Sequence, residues 1–125
     1  SKIFKLNKIF HGIDAFYKIK LPDVFIVVHP IGTVLGNAKY GEKMVFYQGV
    51  TVGSTHLGKY PEFQGENILY SNSSVVGDCR IKSNVIFGAN SSLINTNVDE
   101  SLTVIGSYPN NRFIQSKPII NQIFS

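Results

Sequence analysis

Two histidines are the residues of this chain best suited to moving a proton. An unperturbed imidazole titrates near pH ~6.5, so at neutral pH it can take the proton from a hydroxyl that becomes a nucleophile. His29 opens the segment His29-Pro30-Ile31-Gly32-Thr33-Val34-Leu35-Gly36. His56 stands between Gly53 and Asn67, a stretch rich in turn formers that also carries Lys59, Tyr60 and Glu62. Excursions of this composition often carry binding groups away from a rigid scaffold. Two readings stand for His56. It lines an acceptor groove and donates a hydrogen bond to a developing oxyanion, or it is a loop histidine facing solvent. His11, at the end of the first apolar segment, reads as a helix-terminal residue without chemistry.

The elements that must position these groups are clearest from Leu69 to Leu93. Bulky apolar residues recur every six positions at Leu69, Val75, Ile81, Phe87 and Leu93, and a small residue follows four places later at Ser73, Cys79, Val85 and Ser91. Neither a helix nor an ordinary strand has this period. Short flat segments joined by tight corners, three to a turn, produce it, and they stack as a parallel β-helix. Asn72, Asn84, Asn90 and Gly77 fall at the corners, where left-handed backbone is needed. The same beat appears earlier at Leu21, Val27 and Thr33, and again at Tyr40, Phe46 and Val52 after a slip, with Met44 and Val50 inward.

The expected organisation is a single all-β domain over 1–125: a short amphipathic helix at 1–12, coils over 13–106 with a loop at 53–67, and a tail at 107–125. With 125 residues and 43% hydrophobic content, one core fits and two do not. The single cysteine excludes a disulfide framework and fits a reducing cytoplasm. Apolar runs such as Val24 to Val28 are too short to span a bilayer, and the first residues lack the pattern of a signal peptide. The net charge of +4 is scattered rather than striped, which argues against nucleic acid and suits a phosphorylated small molecule. Flat apolar flanks would favour self-association.

From about Ile13 to Arg112 the chain resembles the hexapeptide-repeat acyltransferases, and within them the serine acetyltransferase-like branch. The resemblance is carried by the hexads and three segments. His29 to Gly36 is similar to the branch's His-x-x-Gly-x-x-x-Gly element. Gln48-Gly49-Val50-Thr51-Val52-Gly53 is similar to its Gln-x-Val-Thr-Leu-Gly segment. Val104-Ile105-Gly106-Ser107-Tyr108-Pro109 stands where the family has its closing Gly-x-Pro. The resemblance implies a left-handed parallel β-helix, a homotrimer with active sites between subunits, and acetyl-CoA as donor with no metal. It implies His29 as the base and Asp14, fifteen residues earlier, as the group that orients it. One full turn is eighteen residues, so spacing alone leaves Asp14 between that role and an exposed loop position. The pantetheine arm would lie by Gly88, Ala89, Gly106 and Ser107, with Arg112 and Lys117 either phosphate partners or ordinary solvated charges.

Two departures concern the acceptor. Val28 replaces the Asp that precedes the base in serine acetyltransferases, and Tyr60 falls where they carry a substrate-contacting His. Valine cannot pair with the ammonium of serine. Together with Tyr47, Gln48, His56 and Tyr60, this favours a sugar or polysaccharide-precursor hydroxyl as acceptor, with serine as the alternative and an N-acetylated amino sugar as a variant. A catalytically silent interaction module and a zinc hydratase of the γ-carbonic anhydrase type are further alternatives. The latter needs three His ligands in a His-x-x-x-x-His context that this chain lacks.

Overall fold

In the computed structural model the described residues are 13–15, 24–29 and 31–116. They contain no helix and thirteen short strands. The helix expected at 1–12 lies outside them. Face 1 stacks β1 (Ile13–Ala15), β3 (Thr33–Leu35), β5 (Thr51–Gly53), β8 (Ser74–Val76) and β11 (Ser92–Ile94). Face 2 stacks β2 (Val24–Val27), β4 (Lys43–Phe46), β7 (Glu66–Leu69), β10 (Val85–Phe87) and β12 (Leu102–Ile105). Face 3 holds β6 (Glu62–Phe63) and β9 (Arg80–Ile81), extended by single bridges at Lys39 and Val98. The chain runs from face 1 to face 3 to face 2 and back, so every pairing between coils is parallel. The stack ends where β13 (Arg112–Gln115) folds back antiparallel on β12.

The six-residue beat becomes the core. Ser73, Val75, Cys79, Ile81, Val85, Phe87, Ser91 and Leu93 are all at most 1% exposed. The segments stay short because their corners turn sharply. Asn72, Asn84 and Asn90 have φ of 60°, 58° and 63°, and Gly77 has 86°. Asparagine tolerates this region better than most side-chain-bearing residues. Parallel register then stacks like on like, with Phe46, Leu69, Phe87 and Val104 aligned along the inner side of face 2.

The loop is shorter than the 53–67 expected from turn-forming residues. Gly53 closes β5, and the chain is back in the coil at β6 and β7, so the excursion spans 54–61. The reason is Phe63, 3% exposed, which lies six places before Leu69 and fills the interior one hexad earlier than the clear run begins. The next corner is built for contact. A Cβ on Gly41 would overlap the carbonyl of Gly65, and one on Gly65 would overlap Ser83.

Tyr40 closes the core beside this corner, stacked on Phe63 at 5.8 Å and donating its hydroxyl to the Gly36 carbonyl at 2.8 Å. Burial pushes its phenol far above the ordinary tyrosine range, and the Tyr60 phenol adds to the shift. The folded state therefore keeps a proton that the unfolded chain loses near pH ~10. Stability from this group is fully present below that pH and is lost as pH rises above it. Urea titrations of wild type at neutral pH and above pH ~10 are expected to show that loss. In Tyr40→Phe the neutral-pH stability drops by about 1 kcal/mol and the alkaline loss shrinks.

Candidate active site

The corner between face 2 and face 1 gathers most of the residues singled out for chemistry. Strand register aligns Val27 with Phe46, Phe46 with Leu69, and Leu69 with Phe87. Backbone bonds carry the alignment past the strand ends: Val28 N–H donates to Phe46, Tyr47 to Leu69, Tyr70 to Phe87 and Gly88 to Val104. The outer column therefore reads Val28, Tyr47, Tyr70, Gly88, Ile105, and the corner column beside it reads His29, Gln48, Ser71, Ala89, Gly106. Arg112 pairs with Ile105 and continues the outer column by one strand. From β2 to β13 there are five strand steps, about 24 Å at about 4.8 Å each.

His29 sits at the His-end of this edge. It is exposed and has φ of 50°, a left-handed conformation that few residues with side chains adopt. The turn is set by the coil above it, where Gly49 N–H donates to the Ile31 carbonyl at 3.0 Å and Thr33 Oγ1 donates to the Tyr47 carbonyl at 3.1 Å. The same conformation recurs at the corner residues Asn72, Asn84 and Asn90. Gln48, one coil on, is half-buried, and its Oε1 is enclosed without a hydrogen-bond partner.

Tyr70, which the sequence does not single out, stands on the same edge. Its ring stacks on Tyr47 with centroids 4.8 Å apart, and both pack against the apolar outer column Val45, Ile68 and Ile86. That column is itself buried, at 1%, 0% and 5% exposure, so this flank is not the open apolar surface expected from the sequence. Burial, with the Tyr47 phenol second, raises the Tyr70 phenol above its ordinary range.

At the far end of the edge, Gly88 is half-buried while Ala89, Gly106, Ser107 and Arg112 are exposed. Asn111 fixes the closing turn by donating Nδ2 to the carbonyls of Ser92 at 2.8 Å and Gly106 at 2.9 Å. Lys117 lies outside the described residues. The backbone of Asp14 pairs with Val34 in β3, while its side chain, and with it the expected contact with His29, is not among what the structure describes.

His56 and Tyr60 are not on this edge. The excursion leaves the coil between face 1 and face 3, so one chain holds them at a different corner from His29. His56 is exposed there. Tyr60 lies flat on the prism because Gly36 leaves room: a Cβ on Gly36 would sit 2.7 Å from the Tyr60 ring. With Lys39, Glu62, Asp78 and Arg80 it lines an open groove of about 250 Å³. Lys59 pairs with Asp78 across the rim at 3.7 Å, an exposed pair of little energetic weight. Cys79, at the groove floor, is buried, and burial raises its thiol pKa. Among the described residues no group of three His, Cys, Asp or Glu is placed to hold a metal, and no helix is long and apolar enough to cross a membrane.

No protein-family model matches the chain. Serine acetyltransferase of Staphylococcus epidermidis is 34% identical over 108 residues, covering 83% of this chain and 50% of the relative. The Staphylococcus aureus enzyme is 33% identical over the same length. The crystal structure of Neisseria gonorrhoeae serine acetyltransferase superimposes with a TM-score of 0.76 at 26% identity, covering 89% of this chain and 45% of that one. Sequence and fold together support the hexapeptide-repeat acyltransferase family. The prism is thus a left-handed parallel β-helix, an exception to right-handed crossovers. A serine acetyltransferase of Brucella abortus, solved with coenzyme A, shares this fold with a TM-score of 0.75 at 20% identity. The chain spans about half the length of the curated relatives it matches.

Proposed function

We propose that this chain carries the catalytic β-helix of an acetyl-CoA-dependent O-acetyltransferase, with His29 as general base. The observation that supports it most is the single edge on which His29, Gln48, Gly88, Ala89, Gly106 and Arg112 follow one another. An extended thioester donor has its ends far apart, and this edge offers an imidazole at one end and a guanidinium at the other. The small residues between them let the pantetheine arm approach the backbone. His29 takes the proton from the acceptor hydroxyl as its oxygen bonds to the thioester carbonyl carbon. The carbon–sulfur bond then breaks, and the departing thiolate takes up a proton, leaving an acetyl ester and free CoA.

Serine is the acceptor best supported, because the relatives are serine acetyltransferases. The sugar hydroxyl expected from the sequence stands second. It rests on Val28 beside the base, which cannot pair with the ammonium of serine, and on Tyr60 in place of a histidine. A homotrimer completes either version by setting the loop edge of one copy, with His56 and Tyr60, against the His29 edge of the next. Incubating the protein with acetyl-CoA and, separately, serine, amino sugars, sialic acids and nucleotide sugars decides between them by mass of the product. Acetylation of serine alone supports the first reading, and acetylation of a sugar alone supports the second.

The donor half makes its own prediction. A Cβ on Gly88 would already lie 3.3 Å from the Val104 carbonyl, so Gly88→Val fills the outer column where the arm would pass. Calorimetric titration with CoA is expected to show affinity reduced at least about tenfold, the loss of roughly 1.4 kcal/mol of contact.

A further inference from the structure

We propose that Leu57 of one copy packs on Ile31 of the next and so holds the excursion of the first beside the base of the second; the inference rests on the site shared between copies in the reading above. Among the described residues these are the two most exposed large apolar side chains, Ile31 at 76% and Leu57 at 70%, and the next, Tyr108, falls to 45%. Apolar residues scattered singly over a surface are ordinary. These two are set apart by where they stand. Ile31 follows His29 by two residues, at the corner between face 2 and face 1. Leu57 follows His56 at the tip of the excursion, in a turn that Gly58 closes by donating its N–H to the Thr55 carbonyl at 2.9 Å, with φ of 74°. Face 1 lies between the two corners, so one chain holds the pair apart.

The heights of the two corners agree. The excursion leaves after Gly53, one coil above the coil that His29 opens. It then hangs back down, because the Tyr60 ring lies where a Cβ on Gly36 would be 2.7 Å from it, and Gly36 directly follows β3 in the His29 coil. Rotation about an axis along the prism keeps every copy at one height, and a contact between two different patches is the kind that closes into a ring. The lower end of the excursion in one copy is then level with His29 and Ile31 of the next, to within about one strand step of ~4.8 Å. Seating Leu57 on Ile31 there takes two apolar side chains out of water. It also brings His56 and Tyr60, which flank Leu57 in the chain, to the base of the next copy.

The test is the mass of the full chain in solution, followed by sedimentation over a range of protein concentrations. Leu57→Lys and Ile31→Asp, made singly, each set a charge against an apolar side chain of the neighbouring copy. Each is expected to raise the concentration at which the assembly half-dissociates by at least about tenfold, the equivalent of one buried aliphatic side chain. Made together they put opposite charges across every contact, and the assembly should be tighter than that of either single variant by at least about threefold. Because one chain holds the two positions at different corners, that recovery reports contact between copies. Circular dichroism should match wild type throughout, since both side chains are exposed. A monomeric wild type, single variants that keep the wild-type mass, or a double variant no tighter than the singles overturns the inference, and acetyl transfer by wild type then leaves the transferase reading standing. Recovery in the double variant without acetyl transfer by wild type supports the contact and overturns the transferase reading.

Discussion

His29→Asn is expected to lower acetyl transfer by about 10²–10⁴-fold, the usual contribution of a positioned general base. Asparagine is the informative substitution because His29 has φ of 50°. Asparagine adopts that conformation readily, as Asn72, Asn84 and Asn90 do at the neighbouring corners. It cannot accept the proton. The side chain is exposed, so its replacement removes little packing. Thermal unfolding and CoA affinity should therefore match wild type while kcat falls. Loss of activity with loss of the folded state would instead make His29 a corner residue and nothing more.

Phe87→Ala carries the largest stability effect, about 3–5 kcal/mol. The ring is fully buried and stands in register between Leu69 and Val104 along face 2. Neighbouring coils are fixed by their own hydrogen bonds and cannot close around the void. Domains of this size are stable by only about 5–15 kcal/mol, so the change consumes a large part of the total. A urea titration should show the midpoint moving strongly downward with little change in slope. Ile94→Ala, on an outward position that is 36% exposed, should cost far less.

The prism was legible because its signal is local and repeated. From Leu69 to Leu93 each inward residue is six places from the next, and all are buried as the spacing requires. The corner asparagines announced their own backbone conformation. Asn95 and Ser101 share it, at φ of 47° and 61°, without standing out in the sequence. Asn67 shows why the beat fades upstream. It stands six places before Ser73, at an inward position where the pattern calls for a small residue, and is tolerated because Nδ2 donates to the carbonyls of Lys82 at 2.9 Å and Val85 at 3.3 Å.

The candidate site was legible in its members and not in its grouping. His29, Gln48, Ala89 and Gly106 stand in one column although 19, 41 and 17 positions separate them in turn, because a slip and the excursion fall within the coils, so counting by hexads does not group them. Tyr60 parts company with them because an excursion changes the count and because Gly36 opens a bed for its ring.

If the edge from His29 to Arg112 transfers acetyl from acetyl-CoA to a hydroxyl, free thiol must appear only when an acceptor is present. Following free thiol from acetyl-CoA, with serine present and then with each sugar acceptor, tests it most directly. Acceptor-dependent release is expected, matched one for one by an O-acetyl ester that mild base cleaves. No release with any acceptor, together with no binding of CoA, would contradict it and leave a β-helix whose edge serves interaction alone.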